Sequence, residues 1–307
     1  MALIPVETPE DFLLAEQFLL PHEETCVSQA SLVRRKSDKL IFIANSENPV
    51  VAGPSTGSGT ATTDILGILN LDSTIYHCIP NPDLLDVDFL KNQLPYLMKK
   101  PVRCISGEKK ATDFLLKIFP NPVQIYDYKM MRWLRPSKPT QISANVVSTL
   151  RQGSGTAAST TGGLSGGEEI IRCTEHDMET LHPLQKDYMK DEVAVPGRSL
   201  TDAEVDIALR NILKNQLCFA LTLDGDIIAK ANTNAIGINK VQIGGVYTHP
   251  LYRRNGYAGA LVTALCNRAL RSGKEPVLFV KEKNKPAFNL YQKIGFEECG
   301  RYEIVYY

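Results

Sequence analysis

The run Val246-Tyr247-Thr248-His249-Pro250-Leu251-Tyr252-Arg253-Arg254-Asn255-Gly256-Tyr257-Ala258-Gly259 passes from a strand-like stretch through a short basic turn directly into a helical pattern. Such a junction suits an anion. The first N–H groups of a helix have no partner within it, and the helix dipole favours negative charge at that end. Gly256, Ala258 and Gly259 are small enough to let a phosphate approach the backbone, and Arg253 and Arg254 add positive charge at the rim. The spacing Arg253-x-x-Gly256-x-Ala258 is too short for a P-loop and lacks the three glycines of a dinucleotide fingerprint. Some thirty residues on, Asn284, Ala287 and Tyr291 are spaced to share one face of a helix. There the small Ala287 leaves room for a ligand between an amide and a phenol.

Together these segments resemble a known family. The R-x-x-G-x-A turn after Val246-Tyr247-Thr248-His249-Pro250 is similar to the pyrophosphate loop of the GNAT superfamily of acyl-CoA-dependent N-acetyltransferases. Asn284-Lys285-Pro286-Ala287-Phe288-Asn289-Leu290-Tyr291-Gln292-Lys293-Ile294-Gly295-Phe296 resembles that family's N-x-x-A-x-x-L-Y-x-x-x-G-F signature in register. The resemblance covers residues 168–307 and implies acetyl-CoA as acyl donor, with no metal. It also implies that the backbone of Val246, Tyr247 and Thr248 pairs with the pantetheine arm and that Arg253, Arg254, Asn255, Gly256, Tyr257, Ala258 and Gly259 hold the pyrophosphate. Asn284 would line the cofactor, and Tyr291 would protonate the departing thiolate as a general acid. Gly244-Gly245 inside a strand pattern fits a bulge that would splay the strand from its neighbour and open a cleft.

Some family members carry a glutamate base on the strand before the loop. Here that position is Gln242, which cannot take a proton usefully. Glu282, Glu192 or a water relay remain as routes for the proton. His249, before a proline at a strand end, reads as structural, and Arg34-Arg35-Lys36 as a solvated helix end. The implied reaction is direct acetyl transfer to a primary amine on a small molecule or peptide. A non-catalytic acyl-CoA-binding regulatory or interaction protein is the alternative.

The elements that must position these residues repeat along the chain. In the second half, residues 168–173 predict a strand, 176–192 and 201–216 helices, and 218–225 and 226–238 strands joined by a hairpin at Asp224-Gly225. Strands at 241–250, 276–281 and 297–307 alternate with helices at 256–273 and 284–295. The first half shows the same order: helices at 9–20 and 26–36, three strands, a helix at 84–98, a strand at 102–106, a helix at 109–119 and a strand at 123–133. This order predicts an α/β fold of two GNAT-like halves, each a mixed, mostly antiparallel sheet flanked by helices. The junction of the first half, Cys78-Ile79-Pro80-Asn81-Pro82-Asp83-Leu84-Leu85-Asp86, has neither Gly nor Arg, and its aspartates would repel a pyrophosphate. Residues 1–150 therefore read as a degenerate copy, 151–167 as a flexible Gly/Ser/Thr linker, and 168–307 as the catalytic domain. The similar stretch 53–63 reads as a long loop between neighbouring strands.

Composition agrees with that division. A chain of 307 residues suggests about two domains. Lys+Arg and Asp+Glu stand at 34 each, which speaks against nucleic acid or an anionic membrane as partner. No apolar run approaches the roughly 18–20 residues of a membrane span, and residues 1–20 lack the pattern of a signal peptide. The 7 cysteines are scattered singly, which predicts reduced thiols in a cytoplasmic protein, not a disulfide frame or zinc site. Composition leaves the oligomeric state open.

Overall fold

A computed structural model of the chain describes residues 1–45, 64–134, 167–193 and 199–307. The loop expected at 53–63 and all of the expected linker but Gly167 lie outside the described residues. The first half comprises β1 (Ala2–Pro5), α1 (Pro9–Leu19), α2 (Val27–Arg34), β2 (Leu40–Ala44), β3 (Ile65–Asn70), β4 (Thr74–Cys78), α3 (Val87–Leu97), β5 (Cys104–Glu108), α4 (Lys109–Leu115) and β6 (Gln124–Trp133). The second half repeats the order as β7 (Glu168–Arg172), α5 (Met178–Tyr188), α6 (Asp202–Asn215), β8 (Cys218–Leu223), β9 (Asp226–Ile236), β10 (Lys240–Thr248), α7 (Tyr257–Arg271), β11 (Glu275–Lys281), α8 (Lys285–Lys293) and β12 (Phe296–Tyr306). A π-helical turn, Met189–Val193, closes α5.

Local chemistry accounts for the element ends. α1 and α6 open on capping boxes, with Thr8 and Asp11 at one and Thr201 and Glu204 at the other. The hairpin between β8 and β9 turns at Asp224 and Gly225, both with positive φ (51° and 95°), as its Asp-Gly dipeptide demands. α7 ends just before Gly273, whose φ is 69°.

The strands form one 12-stranded sheet in the order β1-β2-β3-β4-β5-β12-β6-β11-β10-β9-β8-β7. Only β4–β5 and β10–β11 pair in parallel; the other neighbours are antiparallel. The closing strands are exchanged. β12 lies between β5 and β6, and β6 lies between β12 and β11. The two expected sheets are thus one sheet, and each half is completed by the last strand of the other.

Apolar side chains fill both faces. α7 and α8 cover β8–β11 through Leu261, Leu265 and Ile294, while α5 and α6 cover the opposite face through Leu181 and Leu209. In the first half α3 and α4 cover one face and α1 and α2 the other. α2 also reaches the second half, where Val27 packs with Ala235 and Val277. All seven cysteines are free, five of them buried. Among the described residues no helix is long and apolar enough to cross a membrane.

Candidate active site

β10 and β11 pair only from Lys240–Ile243 with Glu275–Leu278. Past that point β10 stays with β9 as far as Thr248 opposite Ala229, and β11 stays with β6 as far as Lys281 opposite Tyr128. The two parallel strands therefore part into a V. The cause is local. β10 advances from Gly244 to Tyr247 while β9 moves only from Asn232 to Lys230, which is a bulge of one residue. Gly245 takes φ 58°, and a β-carbon there would collide with the Asn232 carboxamide. The expected Gly244-Gly245 bulge is present and has the expected effect.

A polar ladder on β9 holds the bulge from below. The Lys230 ammonium donates to the Gly245 carbonyl at 2.9 Å and to Asn232 Oδ1 at 3.2 Å, and sits 4.8 Å above the Tyr188 ring. Asn232 Nδ2 donates onward to Asn234 Oδ1. Lys230 is fully buried, and burial pulls its pKa down to about 8 against the opposing influence of the Cys218 and Cys173 thiols. None of this ladder is evident from motif spacing. Its trace in the sequence is the run Lys230-Ala231-Asn232-Thr233-Asn234, polar residues alternating into an otherwise buried strand.

At the mouth of the V, Val246 packs partly buried on the α7 core and Tyr247 is buried. Thr248 Oγ1 and His249 Nδ1 are buried with no hydrogen-bond partner among the described residues. Such atoms are costly unless something else satisfies them. The loop then brings Gly256 to φ 84° as the residue before α7, which no side chain among the described residues caps. That is unlike α1, α3, α4, α6 and α8, which are capped by Thr8, Asp86, Glu108, Thr201 and Asn284. The N–H groups opening α7 are therefore available to an external anion.

The side chains around them have specific tasks. Arg253 Nε donates to the Thr248 carbonyl at 3.0 Å, and its guanidinium lies 5.3 Å from the Tyr247 ring centroid. Arg254 is exposed with φ 70°, and Asn255 Nδ2 donates to the Tyr252 carbonyl at 3.2 Å. The Tyr257 hydroxyl donates to Glu168 Oε1 at 2.7 Å, tying α7 to β7. Ala258 is half-buried, whereas Gly259 is buried where a β-carbon would stand 3.2 Å from Leu290 Cδ1. Gly259 therefore allows α8 to pack closely on α7, a task distinct from phosphate access.

Across the V, Asn284 sits before the first residue of α8 and caps it, its Oδ1 accepting from the Ala287 N–H at 3.1 Å. Tyr291 is buried edge-on to Phe296, with ring centroids 6.0 Å apart. Burial pushes its phenol well above the ordinary tyrosine value, with Tyr188 and Glu192 adding to the shift. The π turn after α5 thus faces Tyr291. Glu192 pairs there with the nearly buried Lys281 at 3.2 Å, and Lys281 stands 4.9 Å over the Tyr126 ring, contributed by the exchanged strand β6. The other carboxylate considered for proton removal, Glu282, pairs outside with Arg301 at 3.2 Å. Gln242 accepts from Ser28 of α2.

The corresponding place in the first half is filled. β4 and β5 pair through Thr74–Tyr76 with Cys104–Ser106, and the next residue, His77, lays its imidazole over Gly107, where a β-carbon would collide with the ring. His77 Nε2 lies 2.9 Å from Thr112 Oγ1, and burial pulls the imidazole pKa down to about 3. The Asp86 carboxylate caps α3, accepting from the Phe89 N–H at 3.0 Å. A separate pocket of about 320 Å³, lined by Glu24, Arg132, Lys240 and Glu275, lies at the paired end of β10 and β11, away from the V.

Residues 227–305 match the family described as FR47-like protein. A Drosophila protein of known structure aligns over 99% of this chain and 98% of its own, with 11% identity and a TM-score of 0.56. A GNAT-family acetyltransferase from Colwellia psychrerythraea aligns over 100% of both chains at 10% identity and TM-score 0.54. A GNAT-family protein from Novosphingobium aromaticivorans covers 92% of this chain and 97% of its own, at 14% identity and TM-score 0.50. No curated sequence matches the chain. The resemblance read from residues 246–259 and 284–296 therefore extends to the fold: the chain is built as a GNAT-superfamily acetyltransferase is built, and residues 227–305 form its FR47-like region.

Proposed function

We propose that the protein is an acetyl-CoA-dependent N-acetyltransferase acting on a primary amine, with its active site in the second half. The observation that carries this reading is the pairing of an uncapped α7 N-terminus with the V between β10 and β11. The residues present fit the donor: Thr248 Oγ1 and His249 Nδ1, without partners among the described residues, lie at the end of the strand that would pair with the pantetheine arm. Backbone N–H groups from Gly256 to Gly259 would hold the diphosphate, aided by Arg253 and Arg254. Bound acetyl-CoA would supply a thioester carbonyl open to attack by an amine. Tyr291 keeps its proton through the neutral range because burial disfavours the phenolate, so it holds a proton for a departing sulfur. Glu192 faces the V and Glu282 does not, which makes Glu192 the better acceptor for the proton of the incoming ammonium.

His77 and the Asp86 cap favour the reading of residues 1–150 as a half that binds no cofactor. The pairing of Glu192 with Lys281 favours a second reading, a site that binds acyl-CoA without turnover. Thiol release from acetyl-CoA with a panel of primary amines separates the two. Turnover with any amine supports the enzyme, and Tyr291→Phe should then lower kcat about 10²-fold while acetyl-CoA binding persists. Undiminished turnover in that variant removes Tyr291 from the mechanism. Calorimetric binding of acetyl-CoA with no thiol released by any amine supports the second reading.

A further inference from the structure

The π turn Met189–Val193 lies across the V and is tied to both arms. On the β11 side Glu192 pairs with Lys281. On the β10 side Asp191 Oδ2 accepts from the Tyr247 hydroxyl at 2.9 Å and lies 3.6 Å from Arg253 Nη2. Arg253, four residues before the first residue of the uncapped α7, thus turns its charge toward a carboxylate on the facing element. We infer that Asp191 is a positioning residue that competes with the diphosphate of acetyl-CoA for Arg253 and so lowers the affinity of the site. This rests on the acetyl-CoA reading above.

The physical basis is a difference between two ion pairs. Arg253 and Asp191 are about half-exposed (50% and 52%), and such a pair shifts an equilibrium by a few-fold only. A diphosphate carries more charge, accepts a guanidinium through several oxygens, and would also engage the N–H groups opening α7. It therefore takes Arg253 from Asp191, at the cost of the pair that it breaks. Tyr247 keeps its bond to Asp191 meanwhile, since burial and that bond push its phenol up to about 12. The carboxylate stays where it is, and Arg253 is the part that moves.

Titration calorimetry of acetyl-CoA into the full chain tests this with the wild type, Asp191→Asn, Arg253→Gln and the double variant. Asparagine retains an oxygen for the Tyr247 hydroxyl and removes only the charge. D191N should bind about three- to fivefold more tightly, R253Q more weakly, and the double variant like R253Q alone. Asp191→Ala serves the same comparison if the thermal midpoint shows that D191N is not folded. Unchanged or weaker binding in the charge-removed variant overturns the inference. So does an equal gain in the R253Q background, because the effect would then not pass through Arg253. Absence of binding in all four proteins instead overturns the acetyl-CoA reading, and this inference with it.

Discussion

Lys230 is a fully buried cation beside the Cys218 and Cys173 thiols and the Tyr188 ring, and that has a thermodynamic consequence. Its pKa of about 8 lies below the roughly 10.4 of an unfolded lysine. Below about pH 8 both states carry the proton, and the cost of the buried charge is fully present. Between about 8 and 10.4 the unfolded chain binds a proton that the folded chain does not, so stability rises with pH, by up to about 1.4 kcal/mol per pH unit. Urea midpoints measured across this range should show that rise in the wild type and a flatter profile in Lys230→Met. Identical profiles would mean that the folded lysine is not depressed. At this scale legibility was uneven. Arg253, Gly256, Asn284 and Tyr291 stand out in the sequence because they fall at fixed intervals on a strand–turn–helix and on one short helix. Lys230 could not, since its partner, the Gly245 carbonyl, is a backbone atom 15 residues away that only sheet pairing brings near. Asp191 escaped for the same reason.

Two helices in equivalent positions show how much one cap decides. α7 opens on Gly256 in the left-handed region with no side chain over its N–H groups, and α3 opens on the Asp86 carboxylate. The first is open to an external anion; the second carries its own. Gly256→Asp should place a fixed negative charge beside the N–H groups opening α7. The new carboxylate would occupy the anion position and repel a diphosphate, so acetyl-CoA affinity should fall about tenfold or more, read by calorimetry. Aspartate tolerates positive φ better than most residues, so the thermal midpoint should fall only modestly, by the cost of about 1 kcal/mol for a β-carbon at φ 84°. Unaltered affinity would place the diphosphate elsewhere. Elements of this kind were largely legible. The apolar period of α7 and the Asp224-Gly225 turn are local signals, and the structure bears them out. β1 was not expected, because a four-residue strand at the sheet edge has too few residues to show a period. The end of α5 was expected as helix and is a π turn, a departure that side-chain periodicity does not record.

At the scale of the whole molecule, the exchange of β6 and β12 was invisible to pattern reading. Both strands keep the composition of closing strands wherever they pair, and nothing in either says which half it closes. The exchange binds the halves through backbone ladders on both sides of β6, from Gln124–Trp133 against β12 and from Tyr128–Arg132 against β11. Residues 168–307 produced alone would lack both neighbours of β12 and the β6 neighbour of β11, leaving three strand edges unpaired. They should aggregate. Co-expressed as separate chains, residues 1–150 and 168–307 should co-purify as one complex and resist salt, because ladder hydrogen bonds and apolar burial hold them. A soluble, monomeric 168–307 fragment with native-like stability would show that β6 is dispensable.

The same topology dictates a schedule during synthesis. Ser106 on β5 meets Tyr302 on β12 across 196 residues of chain, at 2.9 Å between their hydroxyls. β5 therefore has no neighbour on that side until the 196 residues up to Tyr302 have been made. At about 5–20 residues per second, its edge stays bare for roughly 10 to 40 seconds while they are added. The first half is the earlier one to emerge and the later one to be finished, so nascent-chain protection is needed most at its unpaired edge.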